Sequence, residues 1–366
     1  MKKLIVVKVG TSSLTGRDGS LAKEKAADVI RQICDLKEQG HRVVLVSSGA
    51  IAAGFRSLGY GSRPQTISAK QAAAAVGQGL LLEEYNSRLE ERGFVGAQIL
   101  LTRDDFADRR RYTNAFNAME LLIKKGAVPI INENDTIAVD ELKLGDNDTL
   151  ASQVAAMLHA DLLILLTDVD GLYTGNPAKD PTARHIPVVK KITPEIKAIA
   201  GDAGSFVGTG GMITKIKGAS LATKAGVPVF ICSSRDCDSI KKAVSGEARG
   251  TLFMAEDSLK TRLQWMAFYS HSAGNLYIDD GAAEAVIVRG KSLLPTGIKA
   301  AEGDFKAGDV VKVYRCESHE YLGLGIVNYS KDELLRVIEL SAGGLPGTAI
   351  EAINRDNWVS MTDEHS

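Results

Sequence analysis

Apolar runs of strand length alternate with helix-period segments over roughly the first 250 residues. "LIVVKVG" is followed by a helical stretch from Leu21 toward Gly40, then by "HRVVLVSSG". An Ala-rich helix is expected from about Ser68 to Glu91, ahead of "FVGAQILLT"; another spans Tyr112 to Lys125, ahead of "AVPIIN". "ADLLILLTD" and "GVPVFICS" are two further continuous runs. Near-unbroken Val/Ile/Leu runs suit parallel strands covered on both faces, with the helices between them forming right-handed crossovers. The expected fold is α/β: an open, mainly parallel sheet sandwiched by helices.

The pattern changes after about Leu252. "MAEDSLKTRLQW" is charged and lacks strand character. Beyond it, "NLYIDD", "AVIVRG", "DVVKVYR" and "YLGLGIVNY" are short segments separated by Gly, Asp and Pro turns. They predict a small, mostly β, barrel-like domain. A chain of 366 residues exceeds one ordinary core. The expected boundaries are 1–255 for the α/β domain, 256–273 for a linker and 274–366 for the β domain.

Composition narrows the function classes. A net charge of −1 gives no general attraction to nucleic acid or anionic membrane. No apolar run approaches the roughly 20 residues of a membrane span. "MKKLIVVKVG" reads as a buried strand rather than a signal peptide, since Lys8 interrupts its apolar run. The four cysteines lack paired spacing, which favours reduced thiols and a cytoplasmic location. The six histidines fall on no ligand spacing, so no protein-held metal is expected.

Candidate chemistry gathers at strand ends. "VGTGGMITK" (Val207–Lys215) is not a Walker A loop, because its lysine ends the stretch instead of following a glycine directly. Glycine-flanked N–H groups leading into a helix can still hold phosphate; a capped surface loop is the bland alternative. Lys8 lies inside an apolar strand, costly unless its ammonium reaches an anion, and is followed by Gly10 and Thr11. Ser47, Ser48 and Gly49 end another strand, and Thr167 and Asp168 a third. Ligands of open α/β sheets bind at such carboxyl ends. A fourth cluster, "INENDTIAVDELKLGDNDTLAS", carries Asn132, Asn134, Asp135, Asn147 and Asp148. It reads either as a solvated, capped loop or as a pocket for a small zwitterion. Two lysines, glycine loops and no evident general base suit phosphoryl transfer, which rests on positioning and charge neutralisation. A carboxylate acceptor is already ionised at neutral pH, given a pKa near 4.3.

Together these motifs resemble the amino acid kinase family. "KVGTSSLTG", "SSGAIAAG", "INENDTIAV", "GDNDTLAS", "LLTDVDGLYT" and "GTGGMITK" stand in that family's order across about 255 residues. The likeness is strongest to members that phosphorylate the side-chain carboxylate of L-glutamate, giving γ-glutamyl phosphate for proline synthesis. The tail resembles a PUA domain through "GKSLLPTGI" and "FKAGDVVKV". Although PUA modules elsewhere bind RNA, residues 275–366 carry 15 acidic against 9 basic side chains. Nucleic acid is therefore not the expected partner.

The resemblance implies roles. Lys8 and Lys215 would flank the moving phosphoryl group, and Asp148 would orient both by salt bridging. Gly10, Thr11 and Gly49 would contact that centre. Ser48, Asp135 and Asn147 would hold glutamate, Asp135 near its α-ammonium. ATP would lie against Thr167, Asp168 and the loop Thr209, Gly210, Gly211, Met212, Ile213, Thr214 and Lys215. Mg2+ would be held mainly by the ATP phosphates. Ile213, where a small hydroxyl residue is common, and "GNP" at Gly175–Pro177 depart from the family pattern. The resemblance further implies feedback inhibition by proline around Asp135–Leu144, handover to a glutamyl phosphate reductase, and a homo-oligomer.

Overall fold

A computed structural model of the chain describes residues 2–138, 147–177, 180–202, 211–256, 272–342 and 351–360. It divides into two compact units, Met1–Asp105 with Arg110–Ser258 and Phe106–Arg109 with Leu259–Ser366. Among the described residues no helix is long and apolar enough to cross a membrane.

The first unit opens with β1 (Leu4–Val9), α1 (Thr11–Leu14), α2 (Lys23–Glu38) and β2 (Arg42–Val46). After α3 (Ala50–Gly54) come α4 (Ile67–Glu90), β3 (Gly96–Leu101), α5 (Arg103–Ala107), α6 (Arg109–Lys124) and β4 (Val128–Glu133). Next are α7 (Asn147–Met157), β5 (Leu162–Thr167), β6 (Leu172–Tyr173), β7 (His185–Ile186), β8 (Val188–Val189) and α8 (Pro194–Asp202). The unit finishes with α9 (Met212–Lys224), β9 (Val229–Ser233), α10 (Ser239–Ser245) and β10 (Gly250–Phe253).

Eight strands form one sheet in the order β3-β4-β2-β1-β5-β9-β10-β8. The six from β3 to β9 are mutually parallel, as their unbroken apolar runs require. At one edge β10 turns back antiparallel to β9 and pairs with β8. β1 sits in the middle, with β2 on one side and β5 on the other. The chain leaves β1 in one direction and later returns to its opposite side. That creates the crevice at the strand ends where open α/β sheets take their ligands.

All six β1 positions are buried. Ile5, Val7 and Val9 pack with Ile30 and Ile33 of α2. Side chains alternate along a strand, so Lys8 belongs to the opposite face, which α7 covers. α3 and α4 meet backbone to backbone. A Cβ on Gly77 would lie 1.7 Å from the Ala50 carbonyl oxygen, and one on Gly54 2.0 Å from that of Ala73. No larger residue fits at that crossing, and this anchors the start of α4 beside the strand ends.

The second unit contains β11 (Gly274–Ile278), α11 (Asp280–Ile287), β12 (Ile298–Gly303), β13 (Val310–Arg315), β14 (Tyr321–Val327), α12 (Lys331–Ala342) and β15 (Ile353–Ser360). The sheet order is β12-β11-β13-β14-β15, with only β11 and β13 parallel. Its core includes Leu276, Ile278, Phe305, Val311 and Val313. Part of "AVIVRG", expected as strand, is helix: the Asp279 side chain accepts a hydrogen bond from the Ala282 N–H at 2.8 Å and caps α11. Ala283 and Val286, three apart, then face the core together.

Candidate active site

Lys8 and Lys215 arrive from different elements and meet on one carboxylate. Lys8 Nζ lies 2.5 Å from Asp148 Oδ1, and Lys215 Nζ lies 3.1 Å from Asp148 Oδ2. All three side chains are buried. Lys8 projects from β1, Asp148 from the first turn of α7 and Lys215 from the first turn of α9. An acidic side chain in a helix's first turn also complements the helix dipole. α7 and α9 approach closely: a Cβ on Gly218 would lie 2.8 Å from Ser152 Oγ and 3.1 Å from the Asp148 carbonyl oxygen. The Thr214 hydroxyl donates to the Gly211 carbonyl at 2.8 Å and lies 3.3 Å from Asp148 Oδ2. Burial alone pushes the Asp148 carboxyl up. The two ammonium groups outweigh that and hold it down to about 2. Among the described residues two cations here face one anion, a balance suited to phosphate.

A cavity of about 240 Å³ opens on one side, lined by Thr11, Ser48, Gly49, Asp135 and Asn147 among others. Gly49 has φ +96°, a left-handed backbone that admits glycine without strain. Asn147 Nδ2 donates to the Ser47 carbonyl at 2.7 Å, to Asn132 Oδ1 at 2.9 Å and to Ser48 Oγ at 3.0 Å. Three acceptors crowd its two hydrogens, which fixes the amide and turns its oxygen away from them. Asn132 is held in turn: its amide donates to Gln78 Oε1 at 3.3 Å, and Gln78 donates to the Glu133 carbonyl at 3.2 Å. Burial pushes the Asp135 carboxyl up to about 6, with Arg63 pulling the other way.

A second cavity, about 540 Å³, is lined by Thr167, Asp168, Gly211, Met212 and Lys215. Tyr173, Ser233, Arg235 and Arg249 share its wall. Thr167 is buried, and its hydroxyl donates to Asp168 Oδ1 at 3.1 Å. Gly211 is the N-cap of α9, and no side chain caps that helix start. Lys215 belongs to this wall, whereas Asn147, the neighbour of Asp148, belongs to the other. The lysine–aspartate cluster thereby links the two cavities.

Most residues singled out from sequence therefore gather here. Gly10, the N-cap of α1, lines neither cavity but stands beside the lysine cluster, where a Cβ would lie 3.6 Å from Lys8 Nζ; Lys8, Asp148 and Thr214 line neither cavity, and nor does the exposed Ile213. Thr209 and Gly210 lie outside the described residues, as do residues 139–144 of the segment assigned to proline. Gln78, Arg63 and Lys70 were missed. Gln78 sits in an Ala-rich helix with nothing local to mark it, and the other two precede or begin that helix. Arg235 and Arg249 follow or begin strands, a position that could have flagged them. Among the described residues, no group of three or more His, Cys, Asp or Glu side chains gathers as a metal site.

The profile described as "Amino acid kinase family" matches residues 3–233, and the one described as "PUA domain" matches residues 274–342. The chain is 54% identical over 361 residues to "Glutamate 5-kinase" of Streptococcus suis (strain 05ZYH33), covering 98% of this chain and 99% of that protein. It is 53% identical over 363 residues to "Glutamate 5-kinase" of Streptococcus sanguinis (strain SK36), covering 99% and 97%. Among solved structures, "Carbamate kinase from Giardia lamblia bound to AMP-PNP" matches with a TM-score of 0.50 at 20% identity, over 70% of this chain and 99% of that one. That last likeness concerns the fold alone.

Proposed function

Because the chain belongs to the amino acid kinase family, we propose that it transfers the γ-phosphoryl group of ATP to the side-chain carboxylate of L-glutamate. The products are γ-glutamyl 5-phosphate and ADP, in the first step toward proline. The observation that carries this reading is the meeting of Lys8 and Lys215 on Asp148 between two cavities. Glutamate occupies the smaller, with Asp135 and Asn147 Oδ1 facing its α-ammonium and Ser48 and Gly49 beside its side chain. ATP occupies the larger, along Thr167, Asp168 and the start of α9.

One oxygen of the γ-carboxylate attacks the γ-phosphorus. The bond from that phosphorus to the bridging oxygen breaks, and ADP leaves with the electron pair. The attacking carboxylate is ionised at neutral pH, so no base removes a proton. Asp148 is unsuited to that task in any case, since a carboxyl near 2 binds protons too weakly at pH 7. Its work is to set the spacing of the two ammonium groups, which balance charge as it spreads over the moving phosphoryl oxygens. Mg2+ is held chiefly by the ATP phosphates and water, which suits its reluctance to dehydrate. Proline competes in the glutamate cavity through the same ammonium contacts. The labile product is passed to a glutamyl phosphate reductase, and the working enzyme is a cytoplasmic homo-oligomer.

Trapping the product with hydroxylamine tests this. With ATP and Mg2+, glutamate is expected to yield a γ-hydroxamate while aspartate and N-acetylglutamate yield none. The reverse pattern would mean a different carboxylate is the substrate. Asp135 supplies a pH signature. Its carboxyl must ionise to hold an ammonium, and its free-enzyme value of about 6 is raised by burial. Acidification from pH 7.5 to 5 is thus expected to raise KM for glutamate about tenfold, with kcat changing far less. Asp135→Asn should show a high KM that is flat over the same range. A wild-type KM independent of pH would detach Asp135 from the ammonium.

A further inference from the structure

The glutamate cavity has a charge balance that the ammonium and side-chain contacts do not exhaust. Its wall includes Arg63 and Lys70 beside Glu133 and Asp135. Lys70 is half-buried in the first turn of α4, whose N-cap Thr66 makes no side-chain capping bond and whose first turn carries no acid. Arg63 belongs to the segment entering that helix, just before the buried Pro64. Among the described residues, neither cation's side chain takes part in a hydrogen bond or ion pair, whereas Lys8 and Lys215 are both committed to Asp148. A half-buried ammonium in a cavity wall without an anionic partner is poised to receive one from the ligand.

This inference rests on the substrate reading above. An α-amino acid with a side-chain carboxylate carries three charges. The side-chain carboxylate must approach Lys8 and Lys215, and the ammonium is matched by Asp135 and Asn147 Oδ1. One charge remains. We propose that Lys70, assisted by Arg63, receives the substrate's α-carboxylate and selects for acids in which that group is free. The α-carbon is then held at two points of opposite sign, Asp135 on one side and Lys70 on the other. Together with the γ-carboxylate at the lysine pair, this gives three-point attachment and discriminates between the two carboxylates of one molecule. The fixed α-carboxylate cannot reach the phosphoryl group, so transfer goes to the γ position.

The test pairs a protein change with a substrate change. L-Glutamate is compared with its α-amide, isoglutamine, which keeps the ammonium and the γ-carboxylate. Wild type is expected to favour glutamate by about 10–100-fold in kcat/KM, the range for losing one charged hydrogen-bonded contact. In Lys70→Gln, KM for glutamate should rise by about the same factor, with kcat and KM for ATP each within about threefold of wild type. The preference over isoglutamine should shrink to a few-fold. Lys70→Arg should restore most of the preference, and Arg63→Gln should reduce it partially. A Lys70→Gln enzyme that keeps the wild-type preference overturns the clamp. So does one whose KM for ATP rises in step with that for glutamate, since general disruption would explain it. If wild type turns over neither compound, while making an acyl phosphate from another acid, the substrate reading fails and the clamp with it.

Discussion

Lys215→Ala lowers kcat for glutamate-dependent ADP formation by about 10²–10³-fold, the usual cost of removing one preorganised charge from a transition state. KM for glutamate moves much less, because Lys215 lines the larger cavity rather than the smaller one. The fold survives, since Asp148 keeps its 2.5 Å partner Lys8 and is not left as an unpaired buried charge. Lys8→Ala gives a loss of the same order for the complementary reason, its ammonium being bound to the other carboxylate oxygen. Steady-state kinetics with circular dichroism on the same samples checks both. Near-normal turnover in either variant would place the phosphoryl centre elsewhere.

Asp148→Asn destabilises the first unit by about 3–5 kcal/mol at pH 7, as expected when one member of a buried ionic cluster is neutralised and two ammonium groups lose their counter-charge. Urea unfolding at pH 7 measures this, with the α/β unit's transition followed by its helical signal. Acid supplies an independent check. The native carboxyl titrates near 2, below the ordinary value of about 3.9. A depressed carboxylate contributes stability that is complete above about pH 4 and disappears as pH falls toward 2. That contribution is about 2–3 kcal/mol, and the variant should lack the corresponding slope. An equal stability for variant and wild type at pH 7 would mean that the two lysines do not depend on this carboxylate. Turnover should also fall, because the lysines then lose the spacing that suits the phosphoryl group.

Much of the α/β unit is legible without coordinates. The inner parallel strands are buried on both faces, so Val6, Leu45, Ile131 and Leu163 all sit in runs with few polar interruptions. The polar exceptions at or just after the strand ends (Lys8, Ser47, Thr167) mark the ligand edge, because a sheet of one direction brings its carboxyl ends together. The tail is less legible. "AVIVRG" has the β-branched composition of a strand, yet Asp279 begins a helix there and Ala283 and Val286 complete its inner face. A capping bond costs one residue and outweighs a weak strand preference.

The local alternation of side chains determined which β1 residues face which layer, and the order of motifs determined which chemistry reaches the strand ends. Only the tertiary structure decided that β1 lies between β2 and β5, that Asp148 receives both lysines, that Gln78 holds Asn132, and that Arg63 and Lys70 border the smaller cavity. Periodicity is a property of neighbouring residues and can be read along the chain. Which distant strands become neighbours depends on packing whole helices and strands against one another. At the α3–α4 crossing, for example, Gly54 meets Ala73 and Gly77 meets Ala50, and Lys70 stands one turn before Ala73 on α4.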